Sequence, residues 1–186
     1  RLCRENNVLL IVDEIQSGLG RSGKLFAYEY ENIRPDMVII GKALAGGFYP
    51  VSAVLSSKEI LGVFTPGDHG STFGGNPLGA AVACAALKVL VKEKLVERSF
   101  TLGNYFKAKL CAMKGAHVKE VRGRGLWIGV VLDRQARPYC ERLMKEGILC
   151  KETHDTVIRF APPLVITKKE IDWACGRIKK VIHSLN

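Results

Sequence analysis

Two side chains that could react with one ligand each follow an apolar run of the sequence. Lys42 comes after Met-Val-Ile-Ile at residues 37–40 and Gly41, and Asp13 comes directly after the run at residues 8–12. Runs of this kind are typical of buried parallel strands. A lysine at the end of a buried strand is expected to be poorly solvated, which makes its amine a better nucleophile. An ordinary surface lysine that opens a loop is the alternative interpretation.

The spacing of these two side chains favours a common site. Asp13 and Lys42 are separated by roughly 30 residues, the length of a strand–helix–strand unit. A right-handed connection between parallel strands places both carboxyl ends at one edge of the sheet, where open α/β sheets bind ligands. An amine beside a carboxylate suits a cofactor that carries an aldehyde and a ring cation, as pyridoxal phosphate does. The alternative for Asp13 is that it caps the turn that follows it.

The composition argues against several classes of protein. The net charge is +10 over 186 residues, but the basic residues are mixed with acidic ones and are not interleaved with aromatic residues, so nucleic-acid binding is not expected. No run is long and apolar enough to span a membrane. Six cysteines without a CxxC pair predict reduced thiols in a cytoplasmic protein, with neither a disulfide framework nor a metal site.

Residues 18–23 (GLGRSG) match the dinucleotide fingerprint G-x-G-x-x-G, and with Lys24 they match most of a P-loop. The context disfavours both, because the first glycine does not follow the strand directly and Leu25 stands where a P-loop has Ser or Thr. The glycines otherwise predict an ordinary flexible loop. A nucleotide-binding protein that uses this segment remains an alternative function.

A second glycine-rich segment, residues 66–77 (PGDHGSTFGGNP), has two interpretations. Its backbone and hydroxyl groups could donate hydrogen bonds to a phosphate, or it is a plain loop. Asn76 followed by Pro77 predicts the start of a helix at this point.

The remaining elements follow from periodicity and turn residues. In the first part we expect a helical segment at 25–31, a strand at 51–55 antiparallel to its predecessor, and helices at 78–95 and 99–113. From residue 115 we expect strands at 118–121, 126–132 and 156–160, a helix at 138–146, and a last helix that opens with a capping box from Thr167 to Glu170 and ends at Ser184. Arg159, within the last strand, suits a substrate carboxylate or a structural ion pair equally well.

Three segments together resemble the class III pyridoxal-phosphate aminotransferases: residues 12–23 (VDEIQSGLGRSG), 35–44 (PDMVIIGKAL) and 70–77 (GSTFGGNP). Two further segments, residues 46–54 (GGFYPVSAV) and 153–164 (THDTVIRFAPPL), look like the bacterial members of that class that act on ornithine. Members that act on acetylornithine or 4-aminobutyrate share the first set and match the second less well.

The resemblance implies a role in cofactor binding for four residues. Lys42 would hold pyridoxal phosphate covalently and move the proton during transamination. Asp13 would pair with the pyridine nitrogen, Ile15 would pack on one face of the ring, and Gln16 would reach the phenolic oxygen.

Three further residues would bind phosphate and substrate. Ser71 and Thr72 would contact the cofactor phosphate of the neighbouring subunit, so that a homodimer shares its active sites. Arg159 would bind a substrate carboxylate. The substrates would be an amino acid, here ornithine, and a 2-oxo acid, here 2-oxoglutarate, with glutamate 5-semialdehyde and glutamate as products.

The resemblance also implies the α/β fold of the type I, aspartate-aminotransferase-like enzymes, with a mostly parallel sheet that is partial here. Residues 1–76 would be the latter part of the cofactor-binding domain, 77–114 linking helices, and 115–186 a small C-terminal α+β domain. The chain begins without an initiator Met, and family members are much longer, so we expect a C-terminal half that is inactive alone. A non-catalytic, cofactor-binding fragment is the alternative.

Overall fold

The structure is a computed structural model, and it describes residues 1–113 and 117–184. The described residues form two compact units. The first comprises Arg1–Gly20 and Lys24–Leu95, and the second comprises Arg21–Gly23 and the residues from Val96 onward. The predicted boundary between residues 114 and 115 lies outside the described residues. The assignment of a cofactor domain, linking helices and a small domain therefore stays a prediction.

A three-stranded sheet forms the centre of the first unit, with strand order β1-β2-β3. The strands are β1 (Ile11–Asp13), β2 (Met37–Ile40) and β3 (Ala53–Ser56). β1 and β2 are parallel, with Asp13 opposite Ile39, and β3 is antiparallel to β2. The predicted second strand and both predicted directions of pairing are confirmed.

The first strand differs from the prediction in length and in burial. Only Ile11–Asp13 is paired, and Val8, Leu9 and Ile11 are 56%, 52% and 51% exposed. The expected central, buried strand is therefore wrong for this structure. The physical reason is that β1 is an edge strand among the described residues, so its apolar side chains are covered on one side only.

Short helical turns and one long helix surround this sheet. They are α1 (Leu2–Glu5), two 3₁₀ helices at Ala27–Glu31 and Lys42–Ala45, α2 (Lys58–Leu61) and α3 (Pro77–Lys92). The helical segment expected at 25–31 is the first 3₁₀ helix. Asn76 caps α3 as predicted, because its Oδ1 accepts a hydrogen bond from the backbone N–H of Gly79 at 2.7 Å.

The second unit is a four-stranded antiparallel sheet with helices against it, in strand order β4-β5-β7-β6. Its elements are α4 (Leu95–Cys111), β4 (Val118–Arg124), β5 (Trp127–Leu132), α5 (Arg137–Lys145), β6 (Lys151–Thr153), β7 (Val157–Phe160) and α6 (Lys168–Ser184). The sequence analysis missed β6, which is short and polar. Alternate residues of β5 are buried in a core that includes Ile128, Val130 and Leu143.

Helix α6 begins as the sequence predicts. The Thr167 backbone N–H donates to Glu170 Oε2 at 2.7 Å, and the Glu170 backbone N–H donates to Thr167 Oγ1 at 3.3 Å, which completes the capping box. Across the described residues, no helix combines the length and the apolar character that a membrane crossing requires.

Candidate active site

Asp13 lies at the carboxyl end of β1, at the edge where β2 also ends. Its side chain is exposed, and its Oδ1 accepts a hydrogen bond from the backbone N–H of Ile15 at 2.9 Å. The aspartate therefore caps the turn after β1, which is the structural role that the sequence left open. The carboxylate remains accessible at the sheet edge, where a ligand of an α/β sheet binds.

Lys42 follows β2 by two residues and opens a 3₁₀ helix. Its backbone φ is +45°, in the left-handed region that a non-glycine residue occupies only at an energetic cost. Gly41 before it is buried, and so are Leu44 and Ala45 after it, whereas the lysine itself is exposed. The expectation that Lys42 is poorly solvated is wrong for this structure, because burial ends at Gly41 and the turn directs the next side chain outwards.

Ile15 lies beside the residue that precedes the lysine. A Cβ added to Gly41 would be 3.6 Å from both Cγ1 and Cγ2 of Ile15 and 3.4 Å from the Cβ of Ser52. The turn after β1, the end of β2 and the start of β3 therefore meet at one place. Ile15 therefore lies next to the residue that precedes Lys42, and its predicted contact with a ligand stays a prediction.

A cavity of about 500 Å³ opens beside the lysine within the first unit. The residues that line it come from three segments: Lys42, Pro50, Val51, Ser52, Phe73, Gly74, Gly75 and Asn76. Among the residues predicted for the site, Lys42 lines this cavity directly, and its volume is in the range of small-molecule sites.

Ser71, Thr72 and Gln16 are all exposed. Ser71 and Thr72 immediately precede the Phe73 wall of the cavity. The Ser71 Oγ accepts a hydrogen bond from the backbone N–H of Gly74 at 2.9 Å, and Asn76 Nδ2 donates to the Phe73 carbonyl at 2.8 Å. The loop is thus shaped by its own polar side chains. Gln16 lies in the turn after β1, beyond Ile15.

Glu14 is a buried carboxylate to which the sequence analysis assigned no role. It is 1% exposed. Its Oε1 accepts from the Tyr28 backbone N–H at 2.9 Å, and its Oε2 accepts from Ser17 Oγ at 2.5 Å. Glu14 therefore holds the loop that leads away from Asp13. The signal in the sequence was the alternation of β1, which turns Glu14 to the side opposite Asp13.

Arg159 lies on β7 in the second unit and is half-buried. Its strand neighbours are Gly129 on β5 and Lys151 on β6, and Gly129 is in turn opposite Arg122 on β4. Residues directly opposite each other point to the same face of a sheet. Three cationic side chains therefore lie in one row across the sheet, with Gly129 between Arg122 and Arg159. Such a row favours a negatively charged ligand.

Arg21 is the second functional candidate that the sequence analysis missed. Its Nη1 donates to the Leu126 carbonyl at 2.9 Å and to the Pro162 carbonyl at 2.6 Å. Burial lowers the pKa of Arg21 below that of an ordinary arginine. Within the second unit this residue joins the segment Arg21–Gly23 to β5 and to the chain just after β7.

The glycine-rich segment at 18–23 is packed against protein. A Cβ at Gly23 would be 3.0 Å from the Phe100 Cα, and one at Gly125 would be 2.4 Å from the Gly23 nitrogen. These close approaches explain why glycine is needed here. They disfavour the nucleotide-binding alternative, in which the same glycines would face a phosphate, and they replace the expected flexible loop with a tightly packed one. No group of three or more metal-ligating side chains occurs in residues 1–113 and 117–184.

Comparison of this sequence with known proteins identifies its family. Residues 1–182 match the aminotransferase class-III family, so the chain belongs to that family. The ornithine aminotransferase of Geobacillus sp. (strain WCH70) is 67% identical over 180 residues, which are 97% of this chain and 45% of that protein. The chain spans about half the length of the curated relatives it matches.

Solved structures give the same class. An ornithine aminotransferase from Plasmodium yoelii superposes with a TM-score of 0.95 at 40% identity, over 100% of this chain and 50% of that one. An acetylornithine aminotransferase from Elizabethkingia anophelis has a TM-score of 0.94 at 46% identity, over 99% of this chain and 50% of that one. The predicted fold class is confirmed: the chain is part of a pyridoxal-phosphate transferase fold, and its two sheets contain both parallel and antiparallel pairs.

Proposed function

We propose that the full-length protein is a pyridoxal-phosphate-dependent aminotransferase that transfers the side-chain amine of L-ornithine to 2-oxoglutarate. The products would be glutamate 5-semialdehyde and glutamate, in the metabolism of arginine and proline. The observation that carries this proposal is the position of Lys42, which follows the end of β2 next to the end of β1 and lines a cavity of about 500 Å³. Identities of 61–67% to proteins named ornithine aminotransferase support the choice of substrate.

The residues present fit pyridoxal phosphate. Lys42 offers an amine for its aldehyde, the exposed Asp13 carboxylate offers a partner for its pyridinium N–H, and Ile15, beside Gly41, offers an apolar surface. Gln16, exposed in the turn after β1, would reach the phenolic oxygen. When bound, the cofactor supplies an electron sink for the substrate carbon that loses its proton. The cavity beside Lys42 has room for such a group.

Lys42 and Asp13 would divide the proton chemistry. The Lys42 Nζ would take the proton from the substrate carbon as a general base and, once protonated, would serve as the general acid that returns it. Asp13 would accept a hydrogen bond from the ring nitrogen and keep it protonated. Gly41 before Lys42 and Leu44 two residues after it are buried, which would fix the origin of its long side chain.

Arg159 would bind a substrate carboxylate. A guanidinium can bind a carboxylate through two parallel hydrogen bonds. Arg122 and Lys151 flank it in the same row of the sheet, so the local charge favours an anionic substrate such as 2-oxoglutarate.

A homodimer with shared active sites would complete the enzyme. Ser71 and Thr72 are exposed on a loop that is shaped by internal hydrogen bonds. Their hydroxyl groups would bind the cofactor phosphate of the neighbouring subunit. We further propose that the enzyme is cytoplasmic and binds neither nucleic acid nor membrane.

An acetylornithine aminotransferase is the second candidate. The similarity to the Elizabethkingia structure, which carries that name, favours it. A 4-aminobutyrate aminotransferase and a non-catalytic cofactor-binding fragment are the remaining alternatives.

The test uses the full-length protein incubated with pyridoxal phosphate. After borohydride reduction and digestion, we expect a pyridoxyl group on Lys42, and a protein without it would contradict the proposal. The amine donor is then settled by steady-state rates with L-ornithine, N-acetylornithine and 4-aminobutyrate, with 2-oxoglutarate as the common acceptor. Ornithine should give the highest kcat/KM, and a higher value for either rival would replace the substrate while retaining the class.

A further inference from the structure

Two cysteines of the second unit are in contact. Cys140 lies on α5 and is 7% exposed, and Cys150 is half-buried immediately before β6. Cys140 belongs to the hydrophobic core of this unit and Cys150 packs against that core, and the two side chains are within hydrogen-bonding reach of each other. Neither residue belongs to the candidate active site.

The neighbouring ion pair shows that this contact is part of a regular packing of α5 on β6. The Arg137 Nη1 lies 3.2 Å from Glu152 Oε1. Cys140 follows Arg137 by three residues, which places both on one face of a helix. Cys150 precedes Glu152 by two residues, which places both on one face of an extended chain. The two thiols therefore face each other beside the ion pair.

The connection between α5 and β6 is closed by backbone hydrogen bonds. The Ile148 N–H donates to the Leu143 carbonyl at 2.9 Å, and the Gly147 N–H donates to the Met144 carbonyl at 3.0 Å. Gly147 takes a φ of +84°, as glycine does after the end of a helix. Because this turn is fixed, the two thiols are held together without the entropic cost of closing a loop.

We propose that Cys140 and Cys150 are a reversible disulfide site that reacts with small-molecule disulfides. One thiolate of the pair attacks a sulfur of the small disulfide, which forms a mixed disulfide and releases one small thiol. The second cysteine loses its proton and attacks the protein sulfur of that mixed disulfide, which closes the Cys140–Cys150 bond and releases the second small thiol. The protein loses two electrons and two protons, and the small disulfide is reduced to two thiols.

The interaction between the two thiols favours Cys140 as the thiolate that attacks the small disulfide first. The interaction with Cys150 lowers the pKa of Cys140, and the same interaction raises the pKa of Cys150. The thiolate is the reactive form of cysteine. Cys175, a buried cysteine on α6, is the contrast, because burial raises its pKa to about 11.

The experiment exposes the reduced, full-length protein to oxidised glutathione under native conditions. Remaining thiols are alkylated, and the digest is analysed by mass spectrometry. We expect a cross-linked peptide pair that contains Cys140 and Cys150, an intact mass lower by two hydrogens, and complete reversal by dithiothreitol. The Cys175→Ser variant should form the same cross-link at the same rate.

The single variants Cys140→Ser and Cys150→Ser should stop at a glutathione adduct on the remaining cysteine of the pair. Stable glutathione adducts on Cys140 or Cys150 of the unmodified protein, without the cross-link, would overturn the proposal. So would full alkylation of both thiols after the oxidant. The decisive measurement is made on the unmodified protein, so it stands even where a variant fails to fold.

Discussion

Lys42 combines a fixed backbone with a free side chain. Its left-handed φ of +45° and its buried neighbours Gly41 and Leu44 hold the main chain, while the side chain reaches into the cavity. Strained, over-determined backbone of this kind is found where a side chain must be aimed. The described residues do not desolvate the amine, so in our proposal its activation comes from the bound cofactor and from the rest of the protein.

Replacing Lys42 should abolish turnover without unfolding the protein. For Lys42→Ala in the full-length enzyme we expect kcat to fall by about a thousandfold or more, because one residue supplies both covalent attachment and proton transfer. Steady-state kinetics and Tm are the measurements. The exposed Lys88→Ala on α3 is the control and should keep normal rates. A Lys42→Ala protein of near-normal kcat would remove this residue from the mechanism.

Glu14 should matter for stability more than for chemistry. Glu14→Ala leaves the Tyr28 N–H without its buried acceptor, which we expect to cost about 1 to 3 kcal/mol of unfolding free energy. Glu14→Gln keeps an acceptor for Tyr28 and should lose less. Urea unfolding compares the unfolding free energies of both variants with that of the exposed control Glu97→Ala. Equal stability of Glu14→Ala and Glu97→Ala would show that the hydrogen bonds of Glu14 contribute nothing.

At the scale of elements, Arg21 binds the two backbone carbonyls that lie just beyond the paired residues of β5 and β7. Ile128 of β5 lies opposite Phe160 of β7, so the same register continued outwards places Leu126 opposite Pro162. Pro162 has no N–H with which to continue the ladder. The Arg21 guanidinium donates to both carbonyls instead, and β7 is the strand that carries Arg159.

Arg21→Met should destabilise the second unit by about 2 kcal/mol or more, since two carbonyls lose a charged donor. Because β7 is then less firmly held, the KM for the 2-oxo acid should rise more than kcat falls. The matched control is Arg98→Met, whose exposed guanidinium also donates to two carbonyls, those of Val165 and Ile166 at 3.2 Å each. Equal losses in both variants would mean that burial of the Arg21 contacts adds nothing.

Elements that are determined by residues close together in the sequence were predicted correctly. The apolar run 37–40, the pairing directions of the first sheet, the Asn76 cap and the Thr167–Glu170 capping box were all predicted correctly. The role of Arg21 depends on partners far away in the chain, such as Pro162, and no periodicity reveals such partners. β6 was missed because it is an edge strand without an apolar run. The exposure of Lys42 was mispredicted because the burial of a side chain depends on tertiary packing, which the local sequence does not show.

The capping box of α6 gives a prediction about pH. Hydrogen bonds from the Thr167 hydroxyl and backbone N–H lower the pKa of Glu170 below its ordinary value of 4.5. A carboxyl group whose pKa is lower in the folded than in the unfolded protein stabilises the fold fully above the unfolded-state pKa. This stabilisation is lost as the pH falls through the folded-state pKa. The Tm deficit of Glu170→Gln should therefore be present near neutral pH and vanish in acid, and the exposed Glu97→Gln variant is measured beside it as the reference. A deficit independent of pH would contradict this account.

At the scale of the whole molecule, the first unit exposes apolar surface at its sheet edge. Val8, Leu9 and Ile11 are each more than half exposed, and β1 is paired on one side only within the described residues. The relatives that this chain matches are about twice as long. In our proposal the remaining part of the enzyme covers this edge and supplies the other residues that bind cofactor and substrate.

The isolated chain should therefore not transaminate. We expect residues 1–186, expressed alone and supplied with pyridoxal phosphate, to convert no ornithine at a concentration where the full-length protein turns over readily. The reason is structural, because an uncovered apolar strand edge favours association with other chains and the relatives that this chain matches are about twice as long. Sedimentation of the isolated chain separates these causes: aggregates indicate the uncovered edge, and an inactive monomer indicates the incomplete site. Turnover by the isolated chain would show that these residues alone hold the whole catalytic machinery.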